Sequence, residues 1–403
     1  MKIITKIIIN YQFSILNCLL FCSLPIFGRD VACRVSTARP VSTSGYVSGM
    51  PSLFVLQPEG DIWGQMLLHN RLNFNWQLSD VFRIDAGMRN RFITGSEAMI
   101  NPKSISFDPG WMQLSWNWID VKTRHATSLL GNTTLDRLYA TFEKNKLKLQ
   151  IGRQRINWGQ TFVWNPNDIF NTYSFFDFDY PERQGCDAFR GTFYNNETSS
   201  SELAVSTNHN HRVTAAMIHR WNKNNIDFQL MAGEMTETDF VLGGALTSDI
   251  KGLNFRSELS YFHPVKNIGD TAGIIAVSVG ADYIFSNSLR LQTEILYNNV
   301  NKIFSEGGLI SLYAAPLSAK YLSICNWNIF ASASYPVTPR LNGSLSCMYF
   351  ADIQSCYAGL SLDYSVAENL DFSFISQYFS SIGNSSIGNM QILMAFARLK
   401  YSF

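Results

Sequence analysis

The chain has 403 residues, 14% of them aromatic, a formal net charge of +1 and a mean hydropathy of −0.02. Near-neutral charge gives no basis for nucleic-acid binding, and seven cysteines at irregular spacing form neither a disulfide framework nor a metal site. Past residue 28 no run of about 18 apolar residues occurs, so the sequence offers no further helix able to span a bilayer.

Residues 1–28 read as a secretory signal peptide: Lys2 and Lys6, an apolar stretch from Ile7 to Phe27, and cleavage near Gly28. Its removal takes the net charge from +1 to −1 and leaves Cys33, Cys186, Cys325, Cys347 and Cys356. Residues 29–61 carry Ser, Pro and Gly and are expected as an N-terminal extension or short hatch. Residues 62–403 share one pattern and are expected as a single domain.

That pattern has period two. Met66, Leu68, Leu72, Phe74 and Trp76 alternate with His69, Arg71, Asn73 and Asn75. Phe82, Ile84, Ala86, Met88 and Phe92 alternate with Arg83, Asp85, Arg89 and Arg91. Further on, Leu253, Phe255, Leu259 and Tyr261 alternate with Asn254, Arg256, Glu258 and Ser260. Leu289, Leu291, Ile295 and Tyr297 do so with Arg290, Gln292 and Glu294. Successive side chains of a strand point to opposite faces, so each segment has one apolar and one hydrophilic side. Soluble sandwiches build such sheets from strands of ~5–6 residues. Segments of roughly ten or more residues suit strands that cross a bilayer at a tilt. The fold expected is all-β: a single transmembrane antiparallel β-barrel of about 16–18 strands in a bacterial outer membrane.

Counted back from a periplasmic C-terminus, the connections alternate. Asn157–Cys186, His263–Ala272, Val300–Ser323 and Ser380–Gly388 fall outside, whereas Glu143–Asn145, Asn222–Asn224 and Pro336–Pro339 fall inside. Long loops outside and short turns inside are the rule for such barrels. Residues 95–110 break it, because this count makes them a long inner turn.

In residues 147–158, Leu147, Leu149 and Ile151 face outward and Lys148 and Gln150 inward. Strict alternation would then aim Arg153 and Arg155 at lipid, at ~2–4 kcal/mol each near the midplane. A β-bulge at Gly152 would turn Arg153, Arg155 and Asn157 into the lumen instead. The following connection carries Phe162, Trp164, Phe170, Phe175, Phe176, Phe178 and Tyr180 beside Asp168, Asp177, Asp179 and Glu182. So much apolar surface needs cover, so the loop is expected to fold into the barrel, either as a charged constriction or as a structural lid.

The stretch "GRQRINWG…NPNDIF…DYPERQGCDAFRG" resembles outer-membrane barrels of Bacteroides-type bacteria and, more distantly, alginate-export-like porins, from Leu147 to Gly191. The resemblance implies passive passage of a solute. It places Arg153, Arg155, Asn157, Asn165, Asp168, Glu182 and Arg183 at or near the pore.

Inward positions in the first half also include Arg71, Arg83, Arg89, Arg91, Arg137 and Lys148, with few acids beside them. Such a lining favours anions, unless loop acids such as Asp168 and Asp177 neutralise it. The chain ends on an alternating strand with Leu399, Tyr401 and Phe403 on one face. This resembles the terminal strand by which outer-membrane barrels are handed to their assembly machinery.

Ser206, His209, His211 and His219 lie close in sequence, but nothing fixes a catalytic triad and no phosphate loop, zinc cluster or carboxylate pair appears. No cofactor, metal or enzymatic activity is expected. The partners implied are outer-membrane lipid, the assembly machinery and a small solute. A porin-like channel for small polar solutes, anionic ones favoured, is the function read from the sequence. The alternative is a non-conducting barrel serving as an adhesin or as a component of surface-polysaccharide or secretion assembly, since Phe262, Phe350, Phe379 and Phe396 also fall on the inner face.

Overall fold

The computed structural model describes residues 41–403 apart from residues 59, 97–104, 123–126, 173–174, 181, 267–271, 300–317, 324 and 382–390. The expected signal peptide and the extension as far as residue 40 lie outside the described residues. Nearly all regular structure is β. The first strands are β1 (Val41–Gln57), β2 (Asp61–Ser79), β3 (Phe82–Ser96), β4 (Ser115–Lys122), β5 (Thr127–Lys144) and β6 (Leu147–Gln154). Across a long connection follow β7 (Cys186–Asn196), β8 (Ser199–Thr207), β9 (Val213–Lys223), β10 (Ile226–Met235) and β11 (Asp239–Ile250). Next come β12 (Leu253–Pro264), β13 (Ile274–Ile284), β14 (Arg290–Asn298) and β15 (Trp327–Thr338). The last are β16 (Leu341–Phe350), β17 (Ser355–Ala367), β18 (Leu370–Ser381) and β19 (Gln391–Ser402).

Leaving β4 aside, each strand pairs antiparallel with the next, and β1 pairs with β19, so the sheet closes on itself. Eighteen strands make the closed ring, within the range read from the sequence; β4 is extra, because β3 pairs directly with β5. Closure leaves no sheet edge, the condition for a β-structure in hydrocarbon. Phe403 completes it through backbone bonds in both directions with Gly45, 2.8 and 2.9 Å.

Two expectations need correction here. Residues 41–57, assigned to the extension, are a full strand of the wall, so the barrel begins at residue 41 and not at 62. Gly45, Gly49 and Pro51 disguised it. The ladder to β19 lapses at Met50 and Pro51, so the missing proline N–H costs the sheet nothing there. The extra strand also restores parity: β3 ends and β4 begins at the outer end, so the described residues 105–114 belong there and not to an inner turn.

The inner turns are tight. At the β9–β10 turn Asn224 and Asn225 both take positive φ, 55° and 61°, as a two-residue hairpin loop requires. Outside, the alternating apolar positions face lipid: Leu72, Phe74, Trp76, Leu203, Leu230, Leu259 and Leu345 are all exposed on the protein itself. Their neighbours in sequence, among them His69, Arg71, Glu202, Gln229, Glu258 and Glu294, are buried on the lumen side. A helix long and apolar enough to cross a membrane is absent among the described residues; the strands do the crossing.

Candidate functional site

The described residues of the 155–185 connection leave the top of β6, run inside the barrel and return to β7. Asn171 ties the two limbs: its side chain accepts from Ile156 N–H (2.8 Å) and donates to the Gln184 carbonyl (2.9 Å). The loop then meets the wall in turn around the lumen. Trp158 Nε1 donates to Glu202 on β8 (2.6 Å). Glu258 on β12 accepts the backbone N–H groups of Gln160, Thr161 (2.7 Å) and Asn167 (3.0 Å). Glu294 on β14 accepts those of Phe162 (2.8 Å), Val163 (3.0 Å) and Trp164 (2.8 Å). Both carboxylates are wholly buried. A loop in a barrel has no ladder for its own N–H groups, so buried anions take the ladder's place.

Farther round, aromatic packing replaces ion–dipole contact. Phe175 stacks edge-on against Phe330 of β15 (centroids 5.1 Å apart), Phe176 against Phe379 of β18 (5.1 Å) and Phe178 against Phe396 of β19 (4.8 Å). Each such pair adds ~0.5–1.5 kcal/mol beyond the area it buries. Phe379 and Phe396 are two of the four inward phenylalanines that raised the alternative of a sealed lumen. Here they seat the loop.

The third side is ionic. Arg89 on β3 donates Nη2 to Asp179 (2.9 Å) and Nε to His69 (3.0 Å), and lies over the Tyr180 ring at 4.0 Å. Burial works against ionisation of Asp179, but the hydrogen bond to His69 and the charge of Arg89 prevail and hold its pKa below the usual carboxylate value. Arg71 on β2 pairs with Asp136 on β5 (2.5 Å), which also accepts a hydrogen bond from the Tyr180 hydroxyl. Tyr46 of β1 donates to Glu182 (3.2 Å), and Arg137 donates to the Glu182 carbonyl (2.5 Å). Arg91 donates to Asn132 (2.7 Å) and to the Ile105 carbonyl (2.8 Å). Arg83 and Lys148 lie toward the inner end, against Asp85 (2.9 Å) and Glu143 (3.7 Å).

Of the other residues singled out in sequence, Asn157 and Asp177 are exposed, and Arg155 and Arg183 are half-buried. Asn165 and Asp168, within the loop, are buried. Burial pushes the Asp168 carboxyl up to about 7, against the Trp158 backbone N–H and the charges of Arg155 and Arg183. The acids that answer the arginines are Asp136, Asp179 and Glu182, and not Asp168 and Asp177.

Arg153 is the main correction. Both ladders run through Gly152 without a register shift, so no bulge turns Arg153 inward. Gly152 takes φ +118°, and a Cβ there would stand 2.3 Å from the Leu138 carbonyl oxygen. Arg153 and its ladder partner Asp187 share the face of Ile151 and Phe189, which are 62% and 41% exposed. Yet Arg153 itself is wholly buried. Its guanidinium grips both oxygens of Asp187 (2.7 and 2.8 Å), Asp108 (2.6 Å) and the Leu135 carbonyl (3.2 Å). It is a fastening in the wall. The bulge lies next door, on β5, where Gly87 pairs with Arg137 and Met88 with Leu135. The residue left over is Asp136, and the extra position delivers its carboxylate to the lumen.

Above and below the loop the barrel is hollow. An outer cavity of ≈800 Å³ is lined by Ile169, Phe170, Asp177, Tyr180 and Arg183 of the loop together with the tops of β8 to β11. Two inner cavities, ≈460 and ≈240 Å³, open toward the other end, the first beside Arg340, Arg398 and Lys400.

No family model matches the sequence, and no curated protein matches it either. Solved structures match the fold over almost its whole length. Pseudomonas aeruginosa OccK7 (OpdD) superposes with a TM-score of 0.54 at 8% identity, over 90% of this chain and 99% of that one. Pseudomonas aeruginosa OpdQ gives 0.55 at 7% identity, over 91% and 100%. The outer membrane protein opdK from Pseudomonas aeruginosa gives 0.54 at 9% identity, over 90% and 99%. The likeness is one of fold. With the apolar exterior it makes this chain a bacterial outer-membrane β-barrel.

Leu399, Tyr401 and Phe403 all face outward at the closing strand, 45–49% exposed. His209 and Ser206 stand near the outer end of β8, with Ser206 buried on the lumen side, and His211 sits at a turn with φ 59°. Sequence reasoning passed over Glu202, Glu258, Glu294, Asp136, Asn171 and Asp108 as site residues. Alternation put Glu258 and Glu294 on the lumen face, but nothing in a strand pattern says that an acid will hold backbone amides instead of a cation.

Proposed function

We propose that the protein is a porin-like channel for small polar solutes, with residues 155–185 forming its constriction and an anion bias set by the arginines of β2 to β6. One observation carries this reading: the loop crosses the lumen fastened on three sides, with wide spaces at both ends. The arginine side keeps Arg71, Arg89, Arg91 and Arg137 within the lumen beside Arg155 and Arg183, whereas Glu258 and Glu294 opposite are taken up by backbone amides. A low-dielectric wall focuses such a field. The resemblance of residues 147–191 to outer-membrane barrels of Bacteroides-type bacteria, and more distantly to alginate-export-like porins, supports the same reading, as does the barrel fold. Transport, not catalysis, is the activity assigned, and the extreme N-terminus is read as the signal that directs export.

Single-channel recording of the refolded chain, residues 29–403, in a planar bilayer under a KCl gradient tests this. Discrete steps with an anion-biased reversal potential are expected, the bias falling in Arg155→Ala. Arg153→Ala is unsuitable for the purpose, since it leaves Asp108 and Asp187 buried without their cation and should prevent assembly. A correctly folded barrel that passes no current would sink the channel reading and favour the assembly or adhesion role.

A further inference from the structure

β6 and β7 stop at Gln154 and Cys186, where the loop turns inward, and β6 has only 8 residues. A strand that crosses the hydrocarbon at a tilt needs roughly 9–11. The wall above β6 and β7 is completed by residues 107–114, which are not a strand. On the β5 side this segment is continuous with the sheet: Leu135 N–H donates to the Leu114 carbonyl (2.9 Å), and β4 extends the pairing. On the β8 side, among the described residues, it is held by the isolated bridge of Gly110 with Asn208, which includes the bond from His209 N–H to the Pro109 carbonyl (2.9 Å). Asp108 anchors it from below, through Arg153 (2.6 Å).

The same segment is one wall of the outer cavity. Phe107, Pro109 and Gly110 line it together with Ile169, Phe170 and Met235. Phe107 and Trp111 are also 53% and 55% exposed. One thickness of irregular chain thus separates the membrane from a cavity of ≈800 Å³ that is apolar at Phe107, Ile169, Phe170 and Met235 and mostly polar over the rest of its wall.

We propose that this is a lateral seam. An amphipathic solute carried in the outer leaflet slides its apolar chain between residues 107–111 and the top of β8, and lodges it against Ile169 and Phe170. Its polar end stays among the side chains of the rim. Opening the seam breaks the Gly110–Asn208 bridge and the Phe107–His209 ring contact, whereas parting two strands elsewhere in the barrel breaks a whole ladder; an apolar chain moving from lipid onto Ile169, Phe170 and Met235 gives up little burial. The inference rests on the membrane placement and not on conduction through the loop, so a barrel that passes no current leaves it standing.

The test locks the seam. Phe107 and His209, whose rings lie 5.0 Å apart, are replaced by cysteine in a chain carrying Cys347→Ser and Cys356→Ser, and are joined by a short bismaleimide. The protein is placed in liposomes containing an alkyl sulfonate with a photoreactive diazirine on its chain, and labelled residues are read by mass spectrometry. Labelling of residues 169–172 before cross-linking, falling at least tenfold after it with KCl conductance unchanged, is the expected result. Asp108→Asn, which weakens the anchor without new cysteines, should raise that labelling. The proposal is overturned if residues 169–172 are never labelled, if the lock leaves their labelling unchanged, if labelling and conductance fall together, or if Asp108→Asn has no effect.

Discussion

Along β12 and β14 the wall offers carboxylates to the loop's backbone, whereas along β2, β3 and β5 it offers arginines to the loop's side chains. On the first side Glu258 and Glu294 each hold three consecutive or nearby amides, and the identity of the side chains between Gln160 and Asn167 matters little to the hold. On the second, Arg71 and Arg89 act on Asp179, Tyr180 and Glu182 directly or through Asp136. One side therefore fixes where the loop's backbone runs, and the other fixes which charges the lumen presents. The two sides should respond differently to mutation.

The largest effect is expected from Glu258→Ala combined with Glu294→Ala. Charge-assisted bonds contribute ~1.5–3 kcal/mol each, so removing both anchors should cost several kcal/mol and free the loop. Conductance should rise several-fold and become noisy in single-channel records, and a quiet channel of unchanged conductance would break the comparison. Next is Asp136→Ala, which strands the buried Arg71 guanidinium and should cost about 3 kcal/mol. The backbone anchors remain, so conductance should change less than twofold; urea unfolding in micelles and the bilayer recording together check both halves.

A pH effect follows from Asp168. Its pKa lies at about 7 in the folded chain against 3.8 for the ordinary side chain, so the folded state holds a proton that the unfolded state releases. Stability therefore falls as pH rises through that window and levels off above it. Asp168→Asn should flatten the slope between pH 4 and 7 in thermal melts, and a slope that persists would show that other groups set it. The smallest change in stability is expected from Arg155→Ala, a half-buried side chain: unchanged melting, with a lower anion bias in the reversal potential.

Arg153 and Arg155 show where sequence reasoning stops. Both stood two residues apart on a strand whose alternation pointed them at lipid, and a bulge at Gly152 was the economical repair. The protein uses another: it leaves Arg153 on that face and covers it with Asp108, some 45 residues earlier in the chain. The bulge appears instead at Asp136, one strand over, where the local sequence "TLDRLY" carries no glycine to announce it. Strand β1 was hidden for a related reason. Its glycines and Pro51 argue against a strand locally, and only pairing with β2 and β19 overrides them.

Period-two alternation, segment length and turn residues settled the fold class, the alternation of long outer and short inner connections and the lumen face of nearly every strand. Each is a local property: the pleat sends neighbouring side chains to opposite faces whatever lies across the sheet. The inward course of residues 155–185 was legible too, because so many rings need cover. Which inner acid meets an amide, which arginine is spent on the wall and where the wall itself is thinnest were decided only by closure of the barrel. Closure brings together groups more than 90 residues apart, such as Glu258 and Thr161, and no local pattern encodes such a meeting.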